Sequence, residues 1–239
     1  MEGDEAMREQ ERPAIRTTPT MPEFLETLRL VLPEAKQGTF AILWAQYVTE
    51  TGGRFAFNWN FANHKHIEGD GFDWHALKGV WEGVSAAEAA RLVANGEAVY
   101  DANGAHQRAV APKTAVVFNT NHPASRFRAY DSAEHGMREW VTKLQTRFKR
   151  AWPPALAGDV ASFALALKSH SYMTASAEAY AAVMAGPFRQ AMQVKLKPEG
   201  VEPNEFTFAP IHGTHIVDWA LEQRGIAVDE AMYGFLLSA

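Results

Sequence analysis

Glu50 is the residue that invites a chemical reading first. It closes an apolar run and opens onto a loop crowded with amides and rings, WAQYVTETGGRFAFNWNFANHK over residues 44–65. Leu43, Gln46, Tyr47 and Glu50 recur at helical spacing, which puts the acid on one face with a leucine and a tyrosine ring. Partial burial disfavours a carboxylate, and so does the partial negative charge of a helix C-terminus. A carboxylic acid kept protonated near neutral pH is what must stand beside a glycosidic oxygen to protonate it. A Glu-x-Gly helix end with its carboxylate simply in water is the other reading. Asn58, Trp59, Asn60, Phe61 and Asn63 follow, amides beside flat apolar faces. Sugars present hydroxyls at their edge and C–H groups on their face, so the mixture suits carbohydrate, although such loops also form plain turns.

Glycoside hydrolysis ordinarily uses two carboxylates. Glu68, Asp70, Asp73 and Glu82 are the candidates for the second, with Glu68 and Asp73 preferred; Asp70-Gly71 also reads as a turn. The acetamido group of a substrate can replace that partner. Trp59 and Trp74 are candidates for sugar subsites or for lids over the core. His64, His66 and His75 lie among Asp70 and Asp73, but match no zinc signature. His212 and His215 read as a polar helix start. No metal and no cofactor are expected.

These residues need a scaffold. The chain has 239 residues, 47% of them hydrophobic, enough for one sizeable core. A net charge of −5 and the lack of an arginine-rich tract argue against nucleic acid as a partner. There is no cysteine, so disulfides and thiolate metal sites are excluded. No stretch approaches the apolar length of a membrane span. Residues 1–20 are polar and acidic, which predicts a flexible tail and no Sec signal. The expectation is therefore a chain made in the cytoplasm, whose export would use a non-Sec route.

Periodicity predicts helices over 22–32 and 37–51, the second stopped by Gly52-Gly53. A capping pattern at Ser85 and Glu88 opens a short helix ending near Gly96. Three β-like runs follow, at 97–101, 114–119 and 126–130, and suggest a small antiparallel sheet. Asp131 with Glu134 opens a further helix with an apolar stripe of Met137, Trp140, Val141, Leu144 and Phe148, ended by Pro153-Pro154. Asp159 starts another, and Ser176 starts one that should break at Gly186-Pro187. Residues 197–239 read as a helical extension that packs back on the body or docks a protein partner. The expected class is α+β, mainly helical, with the principal domain over 21–196.

The segment ETGG…FNWNFANHK resembles the catalytic stretch of the peptidoglycan endo-β-N-acetylglucosaminidases, the autolysin and flagellar-assembly type enzymes of the lysozyme superfamily. Their helix ends in an acid, followed by Thr-Gly, a turn and Asn-x-x-Asn-Phe-Gly-Asn. Glu50, Thr51 and Gly52 fill the first part and Asn60, Phe61 and Asn63 the second. Ala62 replaces the usual glycine, and the turn lacks the common Trp-Gly. Phe127, Arg128, Tyr130 and Ser132 fill a Phe-Arg-x-Tyr-x-Ser segment, and Tyr172, Thr174 and Tyr180 a third, with about two residues inserted before the last tyrosine. The resemblance implies a lysozyme-like domain with a small β lobe, cleaving β-1,4 bonds of the glycan strand as a glucosaminidase or muramidase. It implies Glu50 as general acid with Tyr172 beside it, Asn60, Phe61 and Asn63 around the substrate, and action at the bacterial wall or periplasm reached by a non-Sec route. Asn58 and Trp59 join the substrate set by composition; Tyr130 joins it too, or with Arg128 fixes the junction of sheet and helix. The shortened turn and Ala62 leave a second expectation: a lysozyme-fold structural or peptidoglycan-binding component of a phage or secretion apparatus, with catalysis weakened or lost.

Overall fold

The computed structural model describes residues 9–53, 55–173 and 175–194. The expectations for residues 1–8, Thr174 and the segment 195–239 lie outside the described residues. The chain begins with β1 (Arg16–Thr17), α1 (Met21–Val31), α2 (Gln37–Thr51), β2 (Ala56–Phe57), β3 (Trp74–Ala76) and β4 (Trp81–Val84). It continues through α3 (Ala86–Ala94), β5 (Ala98–Tyr100), α4 (Gly104–Val110), β6 (Thr114–Phe118) and β7 (Arg126–Arg128). Four helices follow: α5 (Ala133–Thr146), α6 (Trp152–Ala157), α7 (Val160–Ser169) and α8 (Ala177–Gln193). The fold is α+β and mainly helical, with small antiparallel sheets. No helix among the described residues is long and apolar enough to cross a membrane.

The centre of the body is α2. Every residue from Thr39 to Glu50 is buried, so this helix is covered on all sides, with Thr39, Gln46, Thr49 and Glu50 as the polar members of an otherwise apolar run. Its most extensive partner is α8, with α6 and α1 also against it; α7 packs on α8 and α6, and α5 packs on α1. Thr20 and Glu23 form a reciprocal capping box on α1, with Pro22 in the first turn where its missing N–H costs nothing. Gly52 ends α2 with φ 63°, a left-handed cap that a β-carbon would oppose. The predicted stripe on α5 is buried throughout. A second, smaller core of Ala89, Leu92, Ala98, Val116 and Phe118 lies between α3 and the sheet β4-β6-β5.

Several expectations need correction. Residues 9–20 are not a free tail. Arg16-Thr17 pairs antiparallel with Ala56-Phe57, and Arg12 N–H donates to the Trp74 carbonyl at 2.7 Å. The strap is held by partners some 40 to 120 residues away, which no local pattern announces. Ser132, not Asp131, caps α5 by accepting from His135 N–H, while Asp131 binds Arg12. Pro153-Pro154 does not stop α5; both prolines sit in the first turn of α6, a position that tolerates them. Helix α8 continues without a break through Gly186-Pro187, both buried. Glycine before the proline removes the β-carbon that would clash with the ring, and packing against α2 holds the turn that lacks a hydrogen bond. The 126–128 strand pairs with β3 rather than joining β5 and β6.

Candidate active site

Glu50 lies at the last turn of α2 with only 3% of its surface exposed. Its Oε1 accepts a hydrogen bond of 2.5 Å from the Tyr180 hydroxyl, itself buried on α8. The Tyr172 hydroxyl also bears on the carboxyl, though without a close hydrogen bond. Burial pushes the Glu50 carboxyl up to about 8, against the two phenols, which act to lower it. Desolvation wins because water is nearly excluded, whereas each phenol offers at most one donor. The same burial drives both phenols well above their ordinary range, so they stay neutral donors. The acid's own carbonyl is clamped by Asn63 Nδ2 at 2.7 Å, which ties the helix end to the loop that follows.

That loop is built inward. Asn58 and Trp59 both adopt left-handed backbone conformations, φ 48° and 58°, and Asn63 does the same at 48°. The Asn58 carboxamide accepts from Ile15 N–H and donates to the Pro13 carbonyl, so the strap consumes it. Asn60 accepts from His64 N–H and donates to the carbonyls of His64 and Arg128. Phe61 joins Phe24, Tyr47, Trp59 and Trp140 in the aromatic core. The Tyr130 hydroxyl meets His64 Nδ1 at 3.0 Å, and burial holds His64 neutral, well below its ordinary range. Asn58, Asn60, Phe61 and Tyr130, expected at a substrate, are therefore sealed into the scaffold; only Trp59 and Asn63 stay half-buried. The physical reason is backbone closure: a loop this irregular has unpaired amides and carbonyls, and asparagine side chains are the nearest partners.

The candidate second carboxylates separate clearly. Glu68 is exposed on a turn. Asp70 accepts from the N–H groups of Ile67 and Phe72 and from Arg128, which is the turn reading. Asp73 accepts from Gln10 N–H and from Arg12 at 2.5 Å, so it anchors the strap. Glu82 on β4 is different: half-buried, raised by desolvation, and 3.9 Å from Lys65 Nζ. Burial pushes the Lys65 amine down to about 8, and its Nζ sits 4.1 Å over the Phe127 ring.

Of the histidines, His75 is stacked on Phe127 and pushed down to about 4 by burial. His66 Nε2 faces Glu9 Oε2 at 3.0 Å and Asp70 Oδ1 at 3.7 Å, a trio with the spacing of metal ligands. Its oxygens are already engaged, since Glu9 also accepts from the N–H groups of Gly69 and Gly71. A cavity lies beside this trio, between the strap and the turn at 71–73, lined by Arg12, Phe72, Asp131 and His135 among others.

Two members of the acid's surroundings escaped sequence reasoning as site residues. Tyr180 was visible only as a motif position, and Gln46 only as an amide one turn before the acid. The signal for Gln46 was its place on the Glu50 face of a helix otherwise fit for burial. Comparison of the chain with protein-family models, curated proteins and solved structures finds no match.

Proposed function

We propose that the protein is a glycoside hydrolase that cleaves β-1,4 bonds of the peptidoglycan glycan strand, as an N-acetylglucosaminidase or a muramidase, with Glu50 as general acid. The observation that carries the reading is the state of Glu50, a helix-terminal carboxyl raised to about 8 and held by a phenol at 2.5 Å. At neutral pH it holds its proton. Transfer of that proton to the glycosidic oxygen lets the C1–O bond break, and the leaving sugar departs as an alcohol. The carboxylate left behind is stabilised by the hydroxyls of Tyr180 and Tyr172. Attack at C1 then comes from water activated by a second carboxylate, or from the substrate's acetamido oxygen. Glu82 suits the first role better than Glu68, Asp70 or Asp73, because it alone is half-buried with its proton affinity raised by desolvation, its ion-pair partner Lys65 Nζ standing at 3.9 Å. The motif resemblance across the chain supplies the substrate class.

One observation favours a second reading, a lysozyme-fold binding or structural component of a wall-active apparatus. The Glu50 carboxyl is buried, and the neighbouring Asn58 and Asn60 amides are satisfied internally. Solubilisation of purified peptidoglycan sacculi by the wild type and by Glu50→Gln separates the two. The hydrolase reading predicts turbidity loss with the wild type and none with the variant, while both bind sacculi. Binding by both with no turbidity loss by either favours the structural component.

A further inference from the structure

We infer that Gln46 is a positioning residue for Glu50: its carboxamide orders the Tyr172 and Tyr180 hydroxyls so that both turn their protons toward the carboxyl. The functional meaning of this role rests on the glycosidase reading above, but its test does not.

Gln46 lies four residues before Glu50, on the same face of α2, and is completely buried. Leaving a primary amide unpaired in a core costs on the order of 1–3 kcal/mol, and an apolar side chain of the same length would avoid it. Yet neither Nε2 nor Oε1 finds a close hydrogen-bond partner. What the side chain does face is the pair of phenols, since it acts on the hydroxyls of both Tyr172 and Tyr180. Those two are the titratable groups that bear on the Glu50 carboxyl, one from α8 and one from the segment between α7 and α8. A phenol has one proton to give. An amide N–H directed at its oxygen leaves that proton for the carboxyl, and the run from amide to hydroxyl to carboxylate polarises in one direction. Without the amide, the two phenols can satisfy each other, since they also interact. One donor to the ionised carboxyl is then lost. Hydrogen bonds to the charged form favour it, so losing one makes the acid hold its proton more tightly.

The test is a carbon-13 NMR titration of the Glu50 carboxyl in the full-length chain, comparing wild type with Gln46→Leu and Gln46→Met. Methionine keeps the length and flexibility of glutamine, so it serves if the leucine variant does not fold. The midpoint is expected to rise by about half a pH unit in either variant, the size of a modest change in one hydrogen bond. The alkaline limb of glycan cleavage should move with it, with kcat lowered and KM unchanged. In a Tyr172→Phe, Tyr180→Phe background the Gln46 substitution should move the midpoint no further. An unmoved midpoint in a folded Gln46→Met protein overturns the inference, as does an equal shift when both phenols are absent. A Gln46-dependent midpoint in a chain that cleaves no glycan leaves the inference standing and removes the glycosidase reading.

Discussion

At the scale of single residues, the account depends on one proton. Glu50 in the unfolded chain has the ordinary glutamate value of 4.5, and in the folded protein about 8. Between those values the native state binds the proton and the unfolded state has released it, so stability falls as pH rises through the window. The full effect is about 5 kcal/mol, present below pH 4.5 and lost by pH 8. Glu50→Gln should remove this slope, which denaturant unfolding at a series of pH values would show; a variant with the wild-type slope would contradict the burial argument. Asn63 offers a second check. Its side chain clamps the Glu50 carbonyl and its own φ is 48°, so Asn63→Ala loses a bond and gains backbone strain. A loss of about 2 kcal/mol is expected, and Asn63→Gly should recover part of it. The sequence made the acid and its helix end legible because both follow from a short, regular pattern. It did not reveal what the asparagines do. Asn58 and Asn60 carry donors and acceptors fit for a sugar, and only the three-dimensional course of the loop shows that backbone groups take them first.

At the scale of elements, the contact that sets the loop after the acid is between α5 and Trp59. Gly136 faces the loop so closely that an added β-carbon would lie 2.1 Å from the Trp59 carbonyl oxygen. That neighbour is backbone and cannot rotate away, so Gly136→Ala must move the helix or the loop. Destabilisation by about 2–3 kcal/mol is expected from chemical denaturation, together with altered amide shifts at 58–63; an unperturbed variant would show that the loop is free to move. The helices around the site were readable from caps, stops and stripes: α2 ends at Gly52, and α7 and α8 begin at Asp159 and Ser176, where their signals stand. Failures came where distant partners decide. The strap is polar and carries no period, and it is ordered by Asp73, Asn58 and β2. Pro187 was a local stop signal that the α2–α8 packing overrode.

At the scale of the whole molecule, buried ionisable groups on both lobes set the pH range over which the fold is most stable. Burial depresses His64 far below 6.5 and His75 to about 4, so below pH 6.5 the unfolded chain takes up protons that the native one refuses. Stability should therefore drop as pH falls from 6.5, two histidines outweighing the one opposing carboxyl, and drop again above 6.5 through Glu50, until Lys65 and Lys143, both pushed down to about 8 by burial, oppose it as pH nears 8. A maximum near pH 6.5 is expected in thermal unfolding, and His75→Phe should weaken the acidic limb alone; a stability that rises monotonically from pH 6.5 to 8 would contradict it. The same raised carboxyl links fold to proposed function, because the proton that costs stability at high pH is the one offered to a glycosidic oxygen. The central claim is tested most directly by digesting isolated sacculi in oxygen-18 water and analysing the released fragments by mass spectrometry. The account predicts new reducing ends carrying one heavy oxygen with the wild type, and none with Glu50→Gln. Their identity, N-acetylglucosamine or N-acetylmuramic acid, would name the bond cut. Intact strands with the wild type, or equal release by the variant, would contradict Glu50 as the acid of a glycosidase.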